Sequence, residues 1–381
     1  MAATVTSGSG AATAPATTLH RLQALGQSIW LDNISRGLIR SGELRRLVDE
    51  GLLGVTSNPT IFEKAITGSA DYDERLAALA RQGTPPAQIF EALAIQDVQE
   101  ATDVLRPVYE RLDGADGYVS LEVSPHLAYD TAGTIAEAER LWRAVDRPNL
   151  FIKIPATEAG LPAIAASIAK GINVNVTLLF DVDRYEAVAD AYLEGLERYQ
   201  QSGGARPLSR LASVASFFVS RVDTVVDKQL EGRPELQHLL GVAAVANAKL
   251  AYERFERIFG AARFAPLREA GARVQRVLWA STSTKNPAYK DTKYVDPLIG
   301  THTVNTVPGP TLEAIKDHAE VRLTIKEGLA EAHAQLEALA GAGVDLKAVA
   351  AQLEADGVGL FATSYDDLLA SIEQKVRQVA G

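Results

Sequence analysis

The stretch Asn173-Val174-Asn175-Val176-Thr177-Leu178-Leu179 carries the first structural signal in this chain. Its alternation has period two, so it reads as a β-strand with Asn173, Asn175 and Thr177 on one face. Val174, Val176 and Leu178 occupy the other face. Residues 118–124, YVSLEVS, repeat the arrangement: Ser120, Glu122 and Ser124 oppose Val119, Leu121 and Val123. In an antiparallel sheet this pattern would mean one wet face. Here helical patterns separate the strands, so the apolar face belongs under a helix layer and the polar face points away from it. In a closed barrel that direction is the interior, which is normally filled by branched apolar side chains. Polar groups placed there cost stability unless they are satisfied, so they read as the lining of a site.

Six more strands flank these two: SIWLD (28–32), LGVTS (53–57), LFIKI (150–154), SVASFFV (213–219), RVLWAS (276–281) and TVNTV (303–307). Eight strand–helix units in one chain predict a (β/α)8 TIM barrel with additional helices, in preference to an open doubly wound sheet. Thr134-Ile135-Ala136-Glu137 reads as a capping-box helix start, and Gly171 as a helix end before the 173–179 strand. Gly309-Pro310 reads as a helix start with Pro310 at the first helical position. The intervals 59–117 and 222–274 are longer than a barrel needs and predict helical insertions. Residues 310–381 predict a helical C-terminal region, with Leu368, Ile372, Val376 and Val379 at helical spacing. The expected organisation is a disordered tail over 1–20 and a single barrel domain over 21–381.

The 381 residues carry 38 − 48 = −10 formal charges, are 47% hydrophobic and include no cysteine. That composition is globular, and it excludes disulfides, thiolate metal sites and a Cys nucleophile. An acidic chain is a poor general partner for nucleic acid or an anionic membrane, so neither is expected. Any bound anion must be caught by a local group of cations. No apolar run reaches the ~18 residues of a membrane span. The first nineteen residues lack the basic start and apolar middle of a signal peptide, so a cytoplasmic protein is expected.

Lys153, within Phe151-Ile152-Lys153-Ile154-Pro155, is the second signal. A strand lysine is commonly an edge or snorkelling residue, but helical segments flank this strand on both sides in sequence and predict an interior place. Desolvation disfavours an ammonium, and a free amine can attack a carbonyl, so Lys153 is the candidate Schiff-base nucleophile. Asp32, Asn58, Ser216 and Arg221 fall at or just beyond strand C-terminal ends, where barrel enzymes place their chemistry. Each alone would pass for a cap or turn residue. The six histidines show no metal-ligand spacing, and no nucleotide cradle or G-x-S-x-G elbow follows a strand. Asp71/Asp73 and Asp181/Asp183 read as helix-start carboxylates. No metal and no organic cofactor are expected.

Taken together, the blocks GVTSNPTIF (54–62), LEVSPHLAYDT (121–131), FIKIPAT (151–157), GINVNVTLLF (171–180) and ASFFVSRVD (215–223) resemble the transaldolase family, from about Ser28 to about Asp367. WASTSTKNPAYKDTKYV (279–295) and VNTVPGPTLEA (304–314) are similar to the longer bacterial subgroup with extra helices. The resemblance implies transfer of a dihydroxyacetone unit from sedoheptulose 7-phosphate or fructose 6-phosphate to glyceraldehyde 3-phosphate or erythrose 4-phosphate, in the pentose phosphate pathway. By motif it makes Lys153 the Schiff-base lysine, Asp32 the proton acceptor in carbon–carbon cleavage, and Glu122, through a water also held by Thr177, the proton handler in dehydration. Asn58 and Asn175 would hold substrate hydroxyls, and Ser216 and Arg221 the phosphate side. Phe218 stands where the related fructose 6-phosphate aldolases carry Tyr; they also lack the glutamate, so Glu122 with Phe218 favours transaldolase. Two positions depart from the family: Lys285, in Ser283-Thr284-Lys285-Asn286, stands where many members have arginine, and Ser220 where glycine is more common. Expected partners are sugar phosphates alone, with the chain a monomer or homodimer. A fructose 6-phosphate aldolase and a non-catalytic phosphosugar-binding barrel remain as alternatives.

Overall fold

The computed structural model describes residues 16–380. Eight strands form a closed, all-parallel barrel in sequence order: β1 Gln27–Leu31, β2 Gly54–Val55, β3 Tyr118–Glu122, β4 Leu150–Pro155, β5 Val174–Leu179, β6 Ser213–Phe218, β7 Arg276–Ala280 and β8 Thr303–Val307. β8 closes on β1 over the full length of both, Gln27 opposite Thr303 through Leu31 opposite Val307. Parallel neighbours need a long crossover, and α-helices supply each of them except the one from β7 to β8, which is irregular apart from a single 3-10 turn at Asp296–Leu298. The apolar side chains that alternate outward, among them Val119, Leu121, Ile152, Ile154, Val174 and Val176, are buried beneath that helix layer. The alternation therefore specifies which end-on face each strand turns to the barrel axis.

The extra segments are helical. Pro59–Gly68, Asp73–Arg81 and Pro86–Arg111 fill the first insertion, and Ala243–Gly260 with Ala265–Glu269 occupy the second. Leu329–Gly341 and the long helix Leu346–Ala380 make up most of the C-terminal region. The long helix packs on Pro59–Gly68, Pro86–Arg111 and β5, which lays it across the C-terminal mouth of the barrel. No helix among the described residues is long and apolar enough to cross a membrane.

Several local readings need correction. The helix after β3 starts earlier than Thr134: it spans Thr131–Val145, and Asp130 caps it by accepting a hydrogen bond from the Gly133 amide. Thr134 instead turns its hydroxyl to the Leu127 carbonyl, 2.9 Å away. The Gly309–His318 helix takes Gly309 as its first residue, with Pro308 as its cap, so Pro310 is second. A helix over Thr18–Ala24, capped by Thr17, begins inside the segment expected to be a tail; the expectation for residues 1–15 lies outside the described residues. Gly171 does end its helix, at φ +80°.

Leu178 departs from its strand's alternation. It adopts φ +56°, and the β5–β6 register shifts between Val176 and Leu179. Its Cδ2 comes within 2.8 Å of where a Cβ on Gly357 would lie, so it meets the long C-terminal helix, which passes close because Gly357 has no side chain.

Candidate active site

In-register pairing sets Glu122 of β3 beside Lys153 of β4, and Lys153 beside Asn175 of β5. Side chains paired in this way share the inner face, so one barrel layer carries a carboxylate, an amine and an amide in a row. The Lys153 side chain is 6% exposed; its Nζ donates to Glu122 Oε2 at 3.1 Å and to the Ser57 carbonyl at 3.2 Å. Asn175 donates to Ser120 Oγ at 3.0 Å and accepts from Ser216 Oγ at 2.7 Å, which carries the polar layer on to β6. Both sides of that amide are thereby fixed, which satisfies a polar group in an interior that would otherwise penalise it.

Asp32 follows β1. Its backbone amide bonds to the Val307 carbonyl at 2.8 Å, and its Oδ1 accepts from Thr56 Oγ1 at 2.7 Å. Burial pushes its carboxyl above the ordinary aspartate value, opposed by the nearby Lys153 and Arg221 cations. Glu122 is likewise raised by burial, against the pull of Lys153. Its second oxygen, Oε1, and Thr177 Oγ1 are both buried without a protein partner. Orphaned polar atoms of this kind are uncommon in folded proteins and mark places where a further donor or acceptor completes the bonding.

Asn58 caps the Pro59–Gly68 helix with its Oδ1, 3.0 Å from the Ile61 amide. That leaves its amide nitrogen for the cavity. Arg221 lies in the first turn of the helix Val219–Leu230, half-buried, with its guanidinium carbon 5.0 Å from the Phe218 ring centroid. Burial lowers its pKa from the usual arginine value. Ser220, at the unusual serine position, is buried and packs into this turn. Its amide donates to the Ser281 carbonyl at 3.0 Å, and the two hydroxyls lie 3.0 Å apart. A glycine here would keep the amide bond to Ser281, and the serine adds the contact between the two hydroxyls.

These groups line one cavity of about 220 Å3 at the C-terminal mouth. It brings together Asp32, Lys153, Asn175, Thr177, Ser216 and Phe218, with Asn58, Arg221 and Lys285 also on its wall. Glu122 is the exception. It reaches the cavity through Lys153 and otherwise borders a separate hollow of about 40 Å3 with Ser124, Glu137 and Tyr365. Lys285 stands at the exposed rim, its ammonium 2.8 Å from Ser283 Oγ. A larger cleft of about 890 Å3 opens at the opposite end of the barrel. Its floor is an ion pair, Arg276 to Asp116 at 2.9 Å, with Trp30 Nε1 donating to the same carboxylate at 2.8 Å. Those groups satisfy one another and offer no nucleophile. Among the described residues no cluster of His, Asp and Glu has the geometry of a metal site.

Sequence reading missed Thr56, Thr306 and Phe361. The two threonines lie on the cavity wall with their hydroxyl oxygens 2.6 Å apart. Alternation over 303–307 groups Thr306 with Val304 and makes Thr303 and Asn305 the more polar face, and Thr56 lies just beyond the paired residues of β2, so neither pattern marks them. Phe361 lies on the C-terminal helix with its ring centroid 5.4 Å from Lys153 Nζ. Nothing in the helix's own periodicity says that its buried face covers a barrel mouth.

A sequence model of the transaldolase/fructose-6-phosphate aldolase family matches residues 29–372. A transaldolase of Saccharopolyspora erythraea is 51% identical over 95% of this chain and 99% of its own length. One from Acidothermus cellulolyticus is 52% identical over 94% of the chain and 97% of its own. A protein of Streptomyces coelicolor named transaldolase 2 is 49% identical over 95% and 98%.

Proposed function

The chain belongs to the transaldolase/fructose-6-phosphate aldolase family, and from that premise we propose that Lys153 is the residue that bonds covalently to substrate. The chain is an enzyme, a transferase with transaldolase activity. The observation that carries the assignment of Lys153 is its position: an amine on the inner face of β4, 3.1 Å from one buried carboxylate and on the wall of a cavity that also holds Asp32.

In this mechanism the unprotonated Nζ attacks the carbonyl carbon of a ketose phosphate to give a carbinolamine. Glu122 gives a proton to the departing hydroxyl, which leaves as water, and an iminium remains on Nζ. The raised pKa of Glu122 suits a group that must hold and release that proton. Its unpartnered Oε1, with Thr177 Oγ1, supports a water as the carrier. Asp32 then takes the proton of the C4 hydroxyl as the C3–C4 bond breaks. The bonding pair moves into the iminium, leaving a dihydroxyacetone enamine on Lys153, and an aldose phosphate departs. An incoming aldose phosphate reverses these steps on its own aldehyde carbon, and water releases the new ketose.

Asn58 and Asn175 hold sugar hydroxyls, Phe218 shapes the wall beside them, and Arg221 with Lys285 takes the phosphate, with Ser216 on that side of the cavity. Donors are sedoheptulose 7-phosphate and fructose 6-phosphate; acceptors are erythrose 4-phosphate and glyceraldehyde 3-phosphate. The test is Lys153→Ala with fructose 6-phosphate and erythrose 4-phosphate. Formation of sedoheptulose 7-phosphate should vanish while the far-UV spectrum and melting transition persist. Retained transfer would remove Lys153 from the chemistry.

A further inference from the structure

Resting on the reading that Arg221 and Lys285 hold the substrate phosphate, a doubled feature behind them assigns a role to residues with no place in the mechanism. Lys285 lies in an irregular connection between Ala280 and Thr303, the ends of β7 and β8. Connections of this length are uncommon in compact domains and do not hold a side chain in place by themselves. Arg221 is fixed differently, in the first turn of the helix Val219–Leu230. Two cations meant to grip one dianion must keep a constant separation, so the irregular segment must be referred to that helix.

Two aspartates one helical turn apart, Asp223 and Asp227, supply the link, and each does so in the same way. Asp223 accepts the Ala244 amide on Oδ1 at 2.7 Å and the Tyr294 hydroxyl on Oδ2 at 2.9 Å. Asp227 accepts the Gly241 amide on Oδ1 at 2.7 Å and the Tyr289 hydroxyl on Oδ2 at 2.6 Å. Lys293 closes the set: its ammonium donates to the Gly241 carbonyl at 2.6 Å and lies 4.1 Å from the Tyr289 ring centroid. Thr282 holds the start of the segment to Asn305 of β8, 2.9 Å away. Asp223 and Tyr294 are buried, and Tyr289 is partly so.

We propose that Tyr289 and Tyr294, bonded to Asp227 and Asp223, are positioning residues that set the spacing of Lys285 from Arg221 and so determine selectivity for phosphorylated sugars. Neither tyrosine lines the cavity that holds Lys153. They act by making the Lys285 segment and the Arg221 helix one body.

The experiment compares kcat/KM for fructose 6-phosphate with that for fructose, and measures inhibition by inorganic phosphate, in the intact chain and in Tyr289→Phe, Tyr294→Phe and the double variant. Removing one hydroxyl keeps both rings in place, and the melting temperature reports whether the fold is intact. Tyr289→Phe should reduce the preference for the phosphorylated sugar about three- to tenfold, chiefly through KM, and weaken phosphate inhibition by a similar factor. The double variant should do more. Equal losses on both sugars, or no loss on either, would overturn the proposal. Arg221→Ala and Lys285→Met in the same assay separate the two failures. If they abolish the preference and the tyrosine variants leave it intact, only the clamp is wrong; if they too leave it intact, the phosphate reading falls and the clamp with it.

Discussion

Asp32 and Glu122 flank Lys153 as two carboxylates raised by burial, yet they contact different partners. Glu122 bonds the amine itself, whereas Asp32 is held by Thr56 across the cavity. Asp32→Asn should therefore still form the Schiff base and stall at cleavage, and Glu122→Gln should slow Schiff-base formation. Stopped-flow and trapping that place both blocks at one step would refute this division. The same shifts carry a stability consequence. A carboxyl whose folded pKa lies above its unfolded value binds more protons in the native state, so it lowers stability as pH rises through that window. Asp32→Asn removes that penalty. Its melting temperature should exceed that of the intact protein near pH 8, and the difference should shrink towards pH 4, where aspartate is increasingly protonated in both states. At this scale Lys153 stood out as a charge amid apolar strand residues, Asp32 as the end of a strand, and Glu122 as a member of the polar face of an alternating strand. Thr56 and Thr306 were not singled out, because small hydroxyl residues in strands look ordinary.

The strands were the most legible elements. Predicted limits differ from the observed ones by a residue or so except at β2, where only Gly54 and Val55 pair. The long C-terminal helix was legible as a helix but not as a roof. Its apolar spacing says that one face is buried, and only the fold says that Phe361 on that face overlies Lys153. The left-handed turn at Leu178 was hidden for a related reason: a leucine in an alternating strand gives no warning that it will flip to meet Gly357. Phe361 is almost fully buried, so Phe361→Ala should destabilise the protein by about 3–5 kcal/mol. It should also wet the space above Lys153. Urea unfolding and kcat/KM measured together check both, and a variant as stable and active as the intact chain would show that the helix roofs the site without supporting it.

The molecule as a whole carries −10 formal charges and must still hold a sugar phosphate. Its field works against that ligand, so local cations must overcome it. A charged hydrogen bond is worth about 1.5–3 kcal/mol, roughly ten- to 150-fold in affinity. Arg221→Ala should reduce kcat/KM for fructose 6-phosphate by about that factor and fructose turnover far less. Lys285→Met should cost less than Arg221→Ala, because an exposed ammonium on a flexible stem loses less geometry when it is removed. Steady-state kinetics on the two sugars decide it, and equal losses on both would place these residues in the chemistry instead of the phosphate grip. The central claim, a covalent bond between the sugar and Lys153, is tested most directly by mass spectrometry of the chain after borohydride reduction with fructose 6-phosphate. The prediction is one reduced dihydroxyacetone adduct per chain, on the peptide containing Lys153; an adduct on a different lysine, or none while transfer proceeds, would contradict it.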